Sequence, residues 1–210
     1  MSILKLDWCS HEAARYAVQR WYSRPDMPVG KLAKIGVWED GAFIGVLIFG
    51  CGTGGVQKIG EKLETGKFGT AELSRIAMGS HVAPVSRIIR IALMLLTRAQ
   101  PGLRLIVTYA DPAAGHHGGV YQAGGWIYAG RSSKDHVYRD AAGVDHHSMR
   151  TSATGWKMLN GKMTRVVRTG DCTKIPLEPK HRYLMPLDDE MRAKVELLRK
   201  PSPKPAKTRP

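Results

Sequence analysis

Between residues 84 and 100, apolar side chains recur at Val85, Ile88, Ile89, Ala92, Leu95, Leu96 and Ala99. This is the i, i+3, i+4, i+7 stripe of a helix with one buried face. Ser86, Arg87, Arg90, Thr97 and Arg98 fall off the stripe, and Pro101-Gly102 ends it. A second helix is predicted from Ser10, a good N-cap, through Tyr22, with Ala13, Ala14, Ala17, Val18 and Trp21 on one face. Residues 3–6 read as a short strand, and 32–38 and 43–49 as two more. Glu39-Asp40-Gly41-Ala42 joins that pair, and Asp-Gly is a hairpin signal. Residues 70–78 alternate as a third antiparallel strand. The unbroken run Leu105-Ile106-Val107, closed by Asp111-Pro112, reads as a buried strand. A short helix around residues 120–123 stops at Gly124-Gly125, and Trp126-Ile127-Tyr128 resumes an extended pattern. The long helix thus makes one crossover on an otherwise antiparallel sheet.

Elsewhere the pattern is weaker. Residues 24–31 read as a loop, and the glycine-rich stretch 50–69 as a long polar excursion over a functional face. Beyond Arg131, residues 164–168 and 182–185 are strand candidates and 191–198 a short helix. The expected organisation is one catalytic domain over residues 1–198, basic from about 150, followed by a disordered Pro- and Lys-rich tail at 199–210.

Charge changes this picture more than composition does. Hydrophobic residues make up 43% of the 210 and charged residues 24%, so the chain is globular. The formal net charge is +14, and residues 150–210 hold 15 Lys and Arg against 6 Asp and Glu. Such a surplus favours a polyanion, since contacts to phosphate release condensed counterions. Cys9, Cys51 and Cys172 are isolated, which argues against a disulfide framework or structural zinc and fits a reducing cytoplasm. The longest apolar run, residues 91–96, is too short to span a bilayer, so no membrane partner is expected.

The candidate chemistry gathers where the buried strand ends. Asp111 can take a proton from an attacking amine or orient a base edge, although Asp-Pro also simply makes a turn. Tyr109, two residues earlier, falls on the same strand face and can donate to an oxyanion or stack. His116 and His117 sit in a glycine-rich turn as weak metal candidates or phosphate contacts, with no third ligand at a fixed spacing. Ser86, Arg87 and Arg90 stand at the start of the long helix, where backbone amides bind anions. Arg75 faces either a donor molecule or a DNA backbone, or pairs with Glu72.

The order strand, helix, three-stranded meander, helix, buried strand, short helix, aromatic strand resembles the GCN5-related N-acetyltransferase (GNAT) fold. Tyr121, followed by Gly125-Trp126 and Gly130, resembles that family's second conserved block. The resemblance implies an α/β (α+β) fold with a mixed, mostly antiparallel sheet flanked by helices, and makes Tyr121 a candidate general acid. The stretch GSHVAPVSR (79–87) stands where the family's pyrophosphate loop belongs but lacks Gly-x-Gly.

The segments ELSRIAM (72–78), PVSRIIRIALMLL (84–96), YADPAAGHHGGVYQAGGWIYAG (109–130) and KHRYLMPL (180–187) resemble the phage Mom family. That resemblance implies conversion of adenine in phage DNA to N6-carbamoylmethyladenine, which blocks host restriction enzymes. Its expected partner is duplex DNA with the target adenine flipped out, because the amine is paired inside the helix. Tyr22 is the residue expected to stack the extruded base, and Trp21 stands where the family commonly has histidine. Tyr22, Tyr109, Asp111 and Tyr121 are thus the catalytic candidates, and Arg75, Ser86, Arg87 and Arg90 the donor-binding ones. Ser23, His116, His117, Arg131, Lys180 and Arg182 are the candidates for DNA contact. The carbamoylmethyl group is isomeric with a glycyl amide, so the donor is expected to be an activated acyl carrier, either aminoacyl-tRNA bearing glycine or an acyl-CoA. A conventional N-acetyltransferase and a non-catalytic DNA-binding protein on the same scaffold remain open, as do oligomeric state and any need for a metal.

Overall fold

The computed structural model describes residues 2–66, 68–159 and 161–204. Along the chain lie β1 (Leu4–Trp8), α1 (His11–Trp21), β2 (Leu32–Glu39), β3 (Ala42–Gly50), α2 (Gly54–Lys62), β4 (Thr70–Met78), α3 (Val85–Ala99), β5 (Leu105–Ala110), α4 (Gly119–Ala123) and β6 (Ile127–Arg131). There follow β7 (Asp135–Arg139), β8 (Asp145–His147), β9 (Thr151–Ser152), β10 (Trp156–Leu159), β11 (Lys162–Arg165), β12 (Val167–Arg168) and β13 (Thr173–Leu177), then β14 (His181–Pro186) and α5 (Asp189–Glu196). They divide into two compact units. The first comprises residues up to Ala110, His116–Gly130 and those from His181 onward; the second comprises Asp111–Gly115 and Arg131–Lys180. Residues 181–198 therefore lie with the first unit rather than with the basic stretch that precedes them.

The first unit is a mixed sheet in the order β1-β2-β3-β4-β5-β14-β6. β1 to β4 form an antiparallel meander, β14 is antiparallel to β5, and β4 runs parallel to β5 because α3 carries the chain across. Asp40 (φ 50°) and Gly41 (φ 83°) both take positive φ, as the tight turn between β2 and β3 requires. Ser10 caps α1, its hydroxyl accepting from the Ala13 amide at 3.1 Å.

Period-two alternation sends neighbouring residues of each strand to opposite faces. Leu47, Phe49, Leu73 and Ile106 pack with Ile88, Ile89, Ala92, Leu93 and Leu96 of α3. On the other face, Val46, Ile48 and Ala77 receive Ala14, Ala17 and Val18 of α1. Leu105, Val107 and Leu184 receive Val56 of α2 with Met191 and Val195 of α5. Each fully buried aliphatic side chain contributes roughly 1.5–3 kcal/mol, so these layers anchor the sheet.

Four expectations change. Residues 50–69 are not an open excursion but contain α2, which a glycine-rich start had masked. In α3, Leu93 is buried and Ala99 exposed, because the helix beds slightly to one side of the predicted stripe. Its N-cap is Pro84, so Ser86 and Arg87 lie inside the first turn and cap nothing with their side chains. The expected loose tail is tied down over its first residues. The Lys200 amide donates to the Tyr128 carbonyl (2.9 Å) and Gln122 Nε2 donates to the Pro203 carbonyl (3.1 Å). Residues 205–210 of that tail lie outside the described residues.

The second unit holds a three-stranded sheet, β13-β7-β8, a hairpin of β10 and β11, and a short parallel pair of β9 and β12. Polar contacts hold it. Arg139 forks onto Asp145 across β7 and β8 at 2.7 and 2.9 Å, and Asp140 accepts from the Ala142 and Val144 amides and bonds His146 Nε2 (2.7 Å). Thr151 and Gly155 are its only buried residues among those described.

Candidate active site

β4 and β5 pair only from Thr70 with Leu105 to Glu72 with Val107. Beyond that point a side chain takes over: Thr108 Oγ1 donates to the Leu73 carbonyl at 2.9 Å. A hydroxyl has one proton, so the 3.2 Å bond between Thr108 Oγ1 and the Tyr121 hydroxyl is donated by the phenol. Burial pushes Tyr121 up to about 12, which keeps it a neutral proton donor at pH 7.

A bulge shapes the facing strand. Ile48 of β3 opposes Arg75 while Phe49 opposes Leu73, so Ser74 is the extra residue. Its hydroxyl donates to the Ile48 carbonyl at 3.1 Å. The bulge brings Glu72 and Arg75 to one sheet face although they are three residues apart. Register places Tyr109 of β5 and its cross-strand partner Arg182 of β14 on that face too. Burial raises the Tyr109 pKa, with the Arg182 charge opposing and the Glu72 charge reinforcing the rise.

The Arg75 guanidinium lies 4.9 Å from the ring centroid of Tyr22, the C-cap of α1, and Nη1 donates to the Ser74 carbonyl at 2.8 Å. Arg182 Nη2 donates to the Ala129 carbonyl at 2.7 Å. Arg75 Nε and Arg182 Nε are the two buried side-chain polar atoms without a hydrogen-bond partner among the described residues. Leaving a buried donor unmade costs about 1–3 kcal/mol. Tyr22 also lies near enough to Tyr121 to act on its ionisation. Tyr22, Arg75, Tyr109 and Arg182 thus form a cationic and phenolic cluster on one sheet face where two parallel strands part, and Tyr121, through Thr108, meets that parting from the other face. Such a cluster can stack a planar group, polarise a carbonyl and deliver a proton.

Other candidates sit elsewhere. Ser23 is exposed beside Tyr22; Arg87 and Arg90 are exposed and Ser86 half-buried on α3. His116 is exposed, whereas the His117 carbonyl accepts from the Tyr183 hydroxyl at 2.6 Å. Gly118 (φ 83°) leaves room for that tyrosine: a Cβ there would come within 2.2 Å of its ring. Among the described residues no group of three or more His, Cys, Asp and Glu is placed to hold a metal ion. In the second unit, Asp111 caps a 3-10 turn, Oδ1 accepting from the Ala113 amide (3.1 Å), with Lys180 Nζ 3.6 Å from Oδ2. β5 ends one residue earlier, so Asp111 is no longer part of the strand ladder. Arg131 pairs with Glu178 at 3.1 Å. Trp21 packs on Phe43 and Tyr16, a packing role for the residue that precedes Tyr22.

Glu39 is a functional-looking residue that sequence reading missed. Its carboxylate accepts from the Val82 and Ala83 amides, each at 2.8 Å, and from Ser2 Oγ at 2.8 Å. These bonds, the Val82 amide foremost, hold its carboxyl below the usual range. The loop before α3 was expected to offer bare amides to a donor's anion; two of them are spent on Glu39. No local signal marks a contact 43 residues away. An apolar cavity of about 530 Å3, walled by Trp8, Phe49 and Phe68, opens at the other end of β4, by Thr70 and Ala71. It contains none of the candidate residues.

A mixed, mostly antiparallel sheet flanked by helices, with one parallel pair made by a helical crossover, is a GNAT-like fold. The model of the Mom protein family matches residues 3–204, and the chain belongs to that family. No curated protein matches it. Solved structures with a similar backbone include FeeM, an N-acyl amino acid synthase from uncultured soil microbes (12% identity, 90% of this chain and 92% of that one, TM-score 0.47). The aminoglycoside acetyltransferase AAC(6')-Ib in complex with coenzyme A is another (11% identity, 92% and 99%, TM-score 0.49). A third is the ribosomal-protein-S5-alanine acetyltransferase from Vibrio fischeri (11% identity, 90% and 98%, TM-score 0.49). These likenesses concern the course of the backbone and say nothing of donor or substrate.

Proposed function

We propose that this chain modifies adenine in DNA at N6 by a glycyl- or acyl-type transfer, the initial N6-glycyl amide rearranging to the isomeric N6-carbamoylmethyladenine that protects phage DNA from restriction. Membership of the Mom family over residues 3–204 carries the reading, and the net charge of +14 supports a polyanionic substrate. Adenine N6 is a poor nucleophile because its lone pair is delocalised into the ring. The enzyme must therefore supply position and charge stabilisation rather than a strong base. Tyr22 stacks the extruded adenine, and the guanidiniums of Arg75 and Arg182 stabilise the developing oxyanion. Asp111 takes the proton that N6 loses as the N–C bond forms. Tyr121, neutral at pH 7, turns its proton from Thr108 to the oxygen that leaves when the donor's acyl–oxygen bond breaks. Ser86, Arg87 and Arg90 hold the donor's phosphates, and His116, His117, Ser23, Arg131 and Lys180 contact DNA. The donor is glycine esterified to tRNA; an acyl-CoA is the alternative.

Mass spectrometry of nucleosides from DNA of cells making the protein tests this. Deoxyadenosine heavier by one glycyl unit is expected with the intact chain and at least tenfold less with Asp111→Ala, whose DNA binding persists. Unmodified DNA beside soluble protein overturns the reading. A purified reaction that runs on a small thioester without RNA overturns the tRNA donor.

A further inference from the structure

The hairpin of β10 and β11 turns its apolar side chains to water. Residues directly opposite in an antiparallel pair share a face. Met158 pairs with Met163 and Trp156 with Arg165, so these four side chains form one surface. Trp156 is 54% exposed, Met158 59% and Met163 60%. The second unit buries only Thr151 and Gly155 among its described residues, yet leaves these large apolar groups outside. The opposite side of the ribbon is tethered. Lys157 Nζ donates to the Ser148 carbonyl at 2.7 Å, Ser152 Oγ to the Trp156 carbonyl at 2.9 Å, and the Val166 amide to the Gly155 carbonyl at 2.8 Å. The exposed face is therefore held outward on a clamped base.

The charge around it says what covers it. Residues 146–170 contain five Lys or Arg and no Asp or Glu. An apolar ribbon set in a stretch whose charged side chains from 146 to 170 are all cationic complements a partner with an anionic rim and an apolar interior. Duplex DNA is such a partner, with phosphates outside and stacked bases within. Two-stranded ribbons enter its grooves, and apolar wedges between base steps unstack them. We infer that the β10–β11 hairpin inserts into duplex DNA, with Trp156, Met158 and Met163 wedged against an opened base step, Arg165 of the same face on one flanking phosphate and Lys162, on the ribbon's other face, on another. It thereby holds the target base out of the stack. This rests on the reading of duplex DNA as the substrate.

The test uses the full chain and a duplex carrying 2-aminopurine beside the target adenine. The intact protein is expected to brighten the probe several-fold. The triple variant Trp156→Ser, Met158→Ser, Met163→Ser should bind within about threefold of the intact affinity but give less than a fifth of the brightening. It should modify duplex DNA at least tenfold less and single-stranded DNA equally well, since a single strand needs no wedge. The conservative set Trp156→Phe, Met158→Leu, Met163→Leu should retain both activities. Lys162→Ala with Arg165→Ala should flatten the salt dependence by roughly two phosphate contacts and leave brightening at saturation unchanged. The inference is overturned if the serine variant brightens the probe like the intact chain, if it loses single-strand and duplex modification alike, or if the hairpin proves to bind anionic phosphatidylglycerol vesicles and not DNA. Modification by the intact chain with normal duplex activity in the serine variant sinks the wedge and spares the proposed function. Brightening without any modified nucleoside does the reverse.

Discussion

In the resting structure Tyr121 donates its proton to Thr108, which donates in turn to the Leu73 carbonyl, so the neutral phenol is held in place until a substrate oxygen takes that proton. Tyr121→Phe keeps the ring contacts with Trp126 and Tyr183 and removes only the hydroxyl. Losing one such bond costs about 1 kcal/mol, a shift of roughly 2–4 °C in a chain of this size. Nucleoside modification should fall at least tenfold while the melting temperature moves no further than that. The pH dependence has a definite sign. The folded phenol ionises near 12 and the unfolded one near 10, so its contribution is complete below 10 and is lost as pH rises from 10 to 12. Thermal melts should accordingly show Tyr121→Phe gaining on the intact chain across that window. Tyr121 and Tyr22 were legible as residues from family-like motifs. The linking Thr108 was not, because a threonine inside an apolar strand carries no signal until the adjacent ladder is seen to stop.

At the scale of the element, helix and strand periodicity located the long helix, the meander and the buried strand, since one face of each must leave water. Periodicity fails where polar bonds define an element. The loop before α3 is shaped by Glu39 from a distant hairpin end. α5 is likewise seated by an ion pair: Asp188 accepts from Arg104 Nε at 2.8 Å and Nη2 at 2.9 Å, and from the Met191 amide at 2.7 Å. Arg104 holds the Asp188 pKa at about 2, well under its ordinary 3.8. The stabilisation is therefore present above about pH 4 and is lost as pH falls toward 2. Asp188→Asn should lower the melting temperature at pH 7 and flatten the acid limb between pH 4 and 2, by thermal melts followed through the helical circular dichroism signal.

For the whole molecule, the contrast between the units has a dynamic consequence. The first unit owns three apolar clusters. The second is held by turns, short ladders and exposed ion pairs, and such pairs contribute little each. Local opening should start there. Hydrogen exchange should find amides of 131–180 opening at far lower free energy than those of β3, β4 and β5, and duplex DNA should slow exchange in 156–165 before it affects the central sheet. Equal protection in both units would refute this. The sequence by itself determined the elements that bury a stripe, the basic charge and the family, because periodicity, net charge and motif order are properties of the chain read in line. Only the tertiary structure decided that a bulge at Ser74 turns Glu72 and Arg75 to one face. It alone set Arg182 opposite Tyr109 and spent two loop amides on Glu39. Each of these depends on which distant strand lies alongside, and strand register is settled by packing across the sheet rather than by neighbours in sequence.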